Sequence, residues 1–395
     1  MESHKEKLKT LNILHIFNDG FLVSLPLLLP FVTKELHIDI AQVGVLGSLL
    51  NMLSIFLALP SAYIAAKIGG MRSLIFAMCL YAVGYILTSF GTSFYFLALA
   101  FLVSGIGFGI FHPIAFALVS KHSDPTSKGK TMGNFTAIGD VGRIGISTLI
   151  TFIIVYIGWR TTALLYGVIA LGIFIVFLIF DARKKDEKIA IPDEKKTSAV
   201  TIVQLLKNRH FVLTTLIGAF DSFASSSLYI FLPFLLIYRG IDPKIIGSFT
   251  AAYFVGNLLG KTLLGRFTDK FGNANVFIVA ELLMALFIVF LGNSFSSVMI
   301  IVVSMILGTL TKGTVPVVQT MVSDSVAHHG GYEKAFSLNS LVVSIATTLA
   351  PLVLGLVSKQ YGIVNAFNIA AIFAVCAVVP ASVLKLSRES KVKQI

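Results

Sequence analysis

Apolar runs of about 20 residues recur along the whole chain, and no other feature of the sequence restricts its fold as strongly. A run of that length crosses a hydrocarbon core roughly 30 Å thick at about 1.5 Å per helical residue. Twelve can be placed, at approximately 11–33, 42–65, 73–91, 94–119, 131–156, 161–181, 210–237, 245–265, 275–292, 296–322, 335–358 and 363–385. They predict helices, because a membrane-spanning β-strand would show as a short alternating segment of about ten residues. The composition agrees: 56% of residues are hydrophobic and 13% charged, against about 45–50% and about 25% in soluble domains. An all-α integral membrane protein follows.

A net charge of +12 invites a nucleic-acid reading, but the basic residues lie in alternate loops. Lys5, Lys7 and Lys9 precede the first run, Lys67 and Arg72 follow the second, and Lys121, Lys128 and Lys130 follow the fourth. The same side takes the lysine-rich stretch Arg183 to Arg209, then Arg266, Lys270 and Lys334, and finally Lys385, Arg388, Lys391 and Lys393. The opposite loops hold only Lys34, Arg160, Arg239, Lys244 and Lys359. By the positive-inside rule both termini and the central loop are cytoplasmic, and no nucleic acid is expected as a partner. Cys79 and Cys376 both fall inside apolar runs, as small buried hydrophobes rather than a disulfide or metal pair. The N-terminus, MESHKEKLKT, is polar and basic with no small-residue cleavage site after it, so the first run is expected to be retained.

The charged stretch around 182–209 divides six runs from six, giving a six-helix bundle over 1–181, a cytoplasmic linker over 182–209 ending in a short surface helix, and a second bundle over 210–395. The halves repeat. FNDGFLVSLPLLLPF and FDSFASSSLYIFLPF pair Asp19 with Asp221 at a spacing of 202 and Pro30 with Pro233 at 203. Lys67 pairs with Lys270 and Gly69 with Gly272, both at 203, and aligning the fourth run with the tenth through Asp124 and Asp324 gives 200. Such repeats are a common way of building transporters.

Two six-helix halves with inside-facing termini and a basic central loop resemble the major facilitator superfamily over the whole chain. That family carries a G-x-x-x-D-[RK]-x-G loop between the second and third helices and a weaker copy between the eighth and ninth. Here the second copy is the better one, with Gly265, Asp269, Lys270 and Gly272; in the first, Ala66 replaces the carboxylate while Lys67, Gly69 and Arg72 remain. HIFND in the first helix, FHP in the fourth and GKTMGNF opening the fifth resemble the fosmidomycin-resistance type of efflux protein, through His15, Asn18, Asp19, Phe111, His112, Pro113 and Gly129. The stretch GDVGRIGIS stands where family exporters often carry G-x-x-x-G-P. The resemblance implies proton-driven export.

Charges inside the runs single out the candidate site. Asp140 and Arg143 are three residues apart in the fifth run, and Asp140 lies nine residues, about 14 Å, from its cytoplasmic start. A charge at that depth costs at least about 2.5–3.5 kcal/mol unless paired or facing a cavity. The pair is either a structural tie or a switch in which Arg143 takes an anionic group or Asp140 a proton. Asp19, one turn after His15, is a candidate proton carrier, and Asp221 is its repeat partner. Lys312, mid-run in the tenth, His112 and Asn18 are candidate substrate contacts, and Gln319 a candidate donor; Asn51 and Asn257 are equally read as helix contacts. Glu281 and Lys261 read mainly as interfacial charges.

Nothing here makes an enzyme. GIGFG at 105–109 has no strand before it, DPTSKGKT lacks the first glycine of a phosphate loop, and the adjacent His328 and His329 lack the i, i+4 spacing of a helical metal pair. The sequence thus predicts a secondary transporter of the inner, or plasma, membrane, without cofactor or metal and driven by a proton gradient. It would move a small anionic or zwitterionic organic solute by alternating access between two halves about a midplane site, as a monomer. Export by antiport is favoured, with uptake by symport or lipid flipping as alternatives. A transport-inactive receptor is disfavoured, since no large extramembrane module is present.

Overall fold

The computed structural model describes residues 4–124, 128–182, 201–293, 296–327 and 332–392. Most of the expected linker, together with His328, His329 and Lys393, lies outside these residues. The rest is helical: α1 (His4–Ser24), α2 (Leu29–Leu36), α3 (Ile40–Ile68), α4 (Gly70–Ser89), α5 (Phe94–His122), α6 (Lys128–Ala182), α7 (Ile202–Lys207), α8 (Arg209–Ser226), α9 (Leu228–Tyr238), α10 (Ile246–Phe271), α11 (Asn273–Asn293), α12 (Ser297–Val326), α13 (Tyr332–Tyr361) and α14 (Ile363–Val392). Ten helices among the described residues are long and apolar enough to cross a membrane. One, Lys130–Asp181, covers two of the predicted runs in 52 residues, turning at Gly158 (φ 76°, ψ 164°). Helix α10 falls outside that set, its hydropathy diluted by Asn257, Lys261, Arg266, Asp269 and Lys270.

Two runs read as single helices are broken. The first is α1, a 3₁₀ turn over Leu25–Leu28 and α2, because Pro26 and Pro30 bring no N–H to the helical ladder. The seventh divides into α8 and α9 at Ser225–Ser227, a run of poor helix formers whose hydroxyls compete with the backbone. In both cases the helix ends five residues beyond an aspartate, at Ser24 after Asp19 and at Ser226 after Asp221. The short surface helix expected at the linker's end is α7, which opens with a capping box in which Thr201 and Gln204 satisfy each other's backbone N–H groups.

The chain forms two compact units, residues 1–192 with 242–251, and 193–241 with 252–395. In the first, α1 packs on α6, α3 on α5, and α4 on both α5 and α6. Its centre is aromatic: Phe21, Tyr81, Tyr85 and Tyr166 are all buried, and the Tyr85 hydroxyl donates to the Phe21 carbonyl at 2.7 Å. In the second, α8 packs on α12, α13 and α14, and α11 on α12 and α14. There Phe223 stacks on Phe373 at 3.9 Å. Exposed positions of both units carry large apolar side chains, Phe56, Ile179 and Phe180 in one and Leu286, Val298 and Val379 in the other, as a lipid-facing surface requires.

The sequence repeat is written into the backbone. Six described residues have positive φ, and they form three pairs: His37 with Gly240 and Gly69 with Gly272, each 203 apart, and Gly158 with Gly362, 204 apart. The equivalence also extends through α5 and α12 at 203 rather than 200. There Gly105 presses on Leu49 and Leu50 as Gly308 presses on Tyr253, and Pro113 matches Pro316 as the proline inside each helix.

Candidate functional site

In the first unit three helices converge on one carboxylate. Asp19 of α1, 2% exposed, receives Arg143 Nη2 of α6 at 2.8 Å on Oδ2. Its Oδ1 meets Asn18 Nδ2 at 2.9 Å, His112 Nε2 of α5 at 3.2 Å and His15 Nε2, one turn back on α1, at 3.3 Å. The i, i+3 pair does form, with Arg143 Nη1 3.5 Å from Asp140 Oδ1, but the shorter contact of the guanidinium is to Asp19. The structure therefore brings together His15, Asn18, Asp19, His112, Asp140 and Arg143. Arg143 and His112 keep 19% and 22% of their side chains exposed, so a solute would first meet those two groups.

The proton inventory of this cluster is constrained by geometry. His15 Nδ1 lies 2.8 Å from the Phe135 carbonyl, which only accepts, so Nδ1 carries the hydrogen. In neutral imidazole Nε2 would then be bare and would face a carboxylate oxygen, lone pair against lone pair; a proton on either partner turns the contact into a hydrogen bond. His15, Asp19 and His112 offer ligand atoms within 4.8 Å of one another, a spacing on which a metal could close. Arg143, bonded to the same carboxylate, sets a fixed positive charge against any such ion.

Glycines allow this approach. A Cβ at position 142 would stand 1.9 Å from the Ile16 carbonyl oxygen, and one at 139 would stand 2.7 Å from Asp19 Oδ2 and from His15 Cε1. The backbones of α1 and α6 touch at Gly142, while Gly139 leaves room for the side chains of Asp19 and His15, and the GDVG stretch is the sequence signal of that approach.

The second unit holds another group. Asp221 of α8, 3% exposed, accepts from Thr314 Oγ1 of α12 at 2.9 Å. Lys312 of α12 is close enough for its charge to act on Asp221. Glu281 of α11, read from sequence as interfacial, is fully buried and within hydrogen-bonding reach of Asp221; it lies eight residues into its helix, about 12 Å deep. Gln319, two turns beyond Lys312, is exposed, and Asn257 accepts from Thr311 at 3.2 Å as a helix contact. In the loop signatures, Gly69 and Gly272 make the positive-φ turns; Lys67 is exposed in the first loop, and Asp269 and Lys270 are exposed in the second. Ala66 leaves the first loop without its carboxylate, and Arg72 pairs instead with Asp181 at the far end of α6, at 3.2 Å.

A family model described as Major Facilitator Superfamily matches residues 11–242 and again 214–395. Among curated proteins, the MFS-type transporter YwfA of Bacillus subtilis is 23% identical over 89% of this chain and 84% of its own length. The probable sulfoacetate transporter SauU of Cupriavidus necator is 23% identical over 63% of this chain and 61% of its own. Among solved structures, a bacterial homologue of the human lysosomal transporter Spinster, inward-facing and occupied, superposes with a TM-score of 0.76 at 16% identity, covering 98% of this chain and 97% of that one.

Proposed function

Because this chain belongs to the Major Facilitator Superfamily, we propose that it is a proton-coupled transporter of a small organic anion, working by alternating access. Counting the bent helix α6 twice and adding α10 brings the crossings to twelve, and the loop charges orient both termini to the cytoplasm of an inner membrane. The observation that carries the coupling is the 2.8 Å bond between Arg143 and Asp19 beside a histidine, His15, whose Nδ1 is committed to a carbonyl. A proton taken up by the His15–Asp19 pair neutralises the carboxylate and releases one face of Arg143. The freed guanidinium then accepts a carboxylate or sulfonate in its place. Proton and anion thus bind together, which is the linkage of symport, and an inward proton gradient would drive uptake. The name of the Cupriavidus relative, a probable sulfoacetate transporter, is consistent with a solute of that class.

The second reading is export, favoured by the HIFND, FHP and GKTMGNF segments. In that case the solute brings a cationic group to Asp19 and competes with the proton, the linkage of antiport. The sign of the pH effect separates the two. Binding to purified protein would be measured by calorimetry across neutral pH, with a panel of small anions that includes sulfoacetate and fosmidomycin. Tighter binding as pH falls, abolished in Asp19→Asn, supports symport; weaker binding as pH falls supports antiport; binding independent of pH in the wild type refutes proton coupling at this site.

A further inference from the structure

The buried pair in the second unit has no role in the cycle above. Both oxygens of Glu281 are buried without a hydrogen-bond donor among the described residues, and its carboxyl lies within reach of that of Asp221. As two carboxylates these groups have no hydrogen between them. They would repel each other in a fully buried place, an arrangement that buried charges do not sustain. One proton converts the contact into a hydrogen bond from one carboxyl to the other, as in other carboxyl dyads. The surroundings fit a single shared proton rather than two. Thr314 donates to Asp221 Oδ1 at 2.9 Å, and Lys312 supplies one positive charge against the one negative charge that remains. Helices α13 and α14 also pack on α8, but apart from charges near their ends they carry one titratable side chain, Cys376. Asp221 is also the repeat equivalent of Asp19, and its helix ends the same five residues further on.

We propose that Asp221 and Glu281 form a second proton-binding site, in which one proton is shared between two carboxyls under the charge of Lys312. A hydronium ion of the solvent gives up the proton and leaves as water; one O–H bond forms on one carboxyl, and the other carboxylate accepts from it. Each unit thus holds two buried acids beside one basic side chain, Arg143 in the first and Lys312 in the second. This inference stands on the second unit alone and does not depend on which solute is carried or on the role given to Asp19.

Infrared spectroscopy of the solute-free protein in lipid bilayers tests it. Glu281 is the one glutamate among the described residues that is not near a helix end, so carboxyl-¹³C labelling of glutamate isolates it without mutation. The expected result at neutral pH is a protonated-carboxyl band that shifts with labelled glutamate or labelled aspartate and moves in D₂O. It should be lost in Glu281→Gln and changed in frequency in Asp221→Asn. Glutamine can still donate to Asp221, which favours a folded variant, and the labelling arm stands even if neither variant folds. A spectrum with no label-sensitive protonated band at neutral pH overturns the proposal. So does a glutamate band that is the same in Asp221→Asn as in the wild type, because the proton would then belong to Glu281 alone.

Discussion

Replacing Gly142 by alanine tests whether the charge cluster depends on the touching backbones of α1 and α6. The new methyl would stand 1.9 Å from the Ile16 carbonyl oxygen, 2.7 Å from its carbon and 2.9 Å from the Ile16 Cα. A carbon rests no closer than about 3.3 Å to a carbonyl oxygen, so the helices must part by about 1.4 Å at this level. No rotamer relieves the contact, since all three atoms are backbone. Overpacking typically costs about 1–3 kcal/mol, and a rigid contact belongs at the upper end. A displacement of that size stretches the 2.8 Å bond from Arg143 to Asp19 to about 4 Å, beyond hydrogen-bonding range. Gly145→Ala, three residues along, is the control: a Cβ there meets nothing within 4 Å. It should be neutral or stabilising by about 0.5–1 kcal/mol, because alanine is the better helix former. Thermal unfolding in detergent and pH-dependent solute binding would be read for both variants. Gly142→Ala should melt earlier and lose the pH dependence, while Gly145→Ala keeps both. If the two variants melt together and bind with the same pH dependence, the geometric argument for the cluster is wrong.

Three further perturbations follow from the fold. Gly158→Ala places its methyl in open space yet forces an L-residue to φ 76°, ψ 164°; it should cost about 1–3 kcal/mol in thermal unfolding through backbone strain alone. His37→Gly removes a left-handed non-glycine residue at φ 51°, a gain of about 1–2 kcal/mol offset by about 0.5–1 kcal/mol of unfolded-state entropy, and should raise the melting temperature slightly. Arg72→Ala takes a half-exposed guanidinium from Asp181, whose side chain is 8% exposed; it should destabilise by about 0.5–1 kcal/mol, and charge reversal at both positions should recover part of the loss.

Periodicity and hydropathy carried the fold because each crossing must satisfy its own backbone, which leaves a long apolar run wherever a helix spans. Breaks inside a crossing leave no such mark. Pro26 and the Ser225–Ser227 run break helices without shortening the apolar stretch. Within the site, His15 with Asp19 and Asp140 with Arg143 were readable as one-turn neighbours. The bond from Arg143 to Asp19 was not, since it joins positions 124 residues apart and depends on Gly139 and Gly142 for its approach. The burial of Glu281 is hidden from the sequence for a related reason. Depth along a helix is legible in a sequence, but the direction a side chain faces depends on the neighbouring helix, and only the fold brings it to Asp221.

Arg143 remains tied to Asp140 of its own helix while it holds Asp19. When Asp19 is neutralised, the guanidinium therefore never passes through a state without a counter-charge. It swings about a fixed tether by side-chain torsions, which relax in picoseconds to nanoseconds, whereas rearrangements of packed helices take microseconds to milliseconds. The exchange of partners at this arginine should be complete long before any helix moves, so turnover would be paced by the scaffold and hardly at all by the charge that commands it.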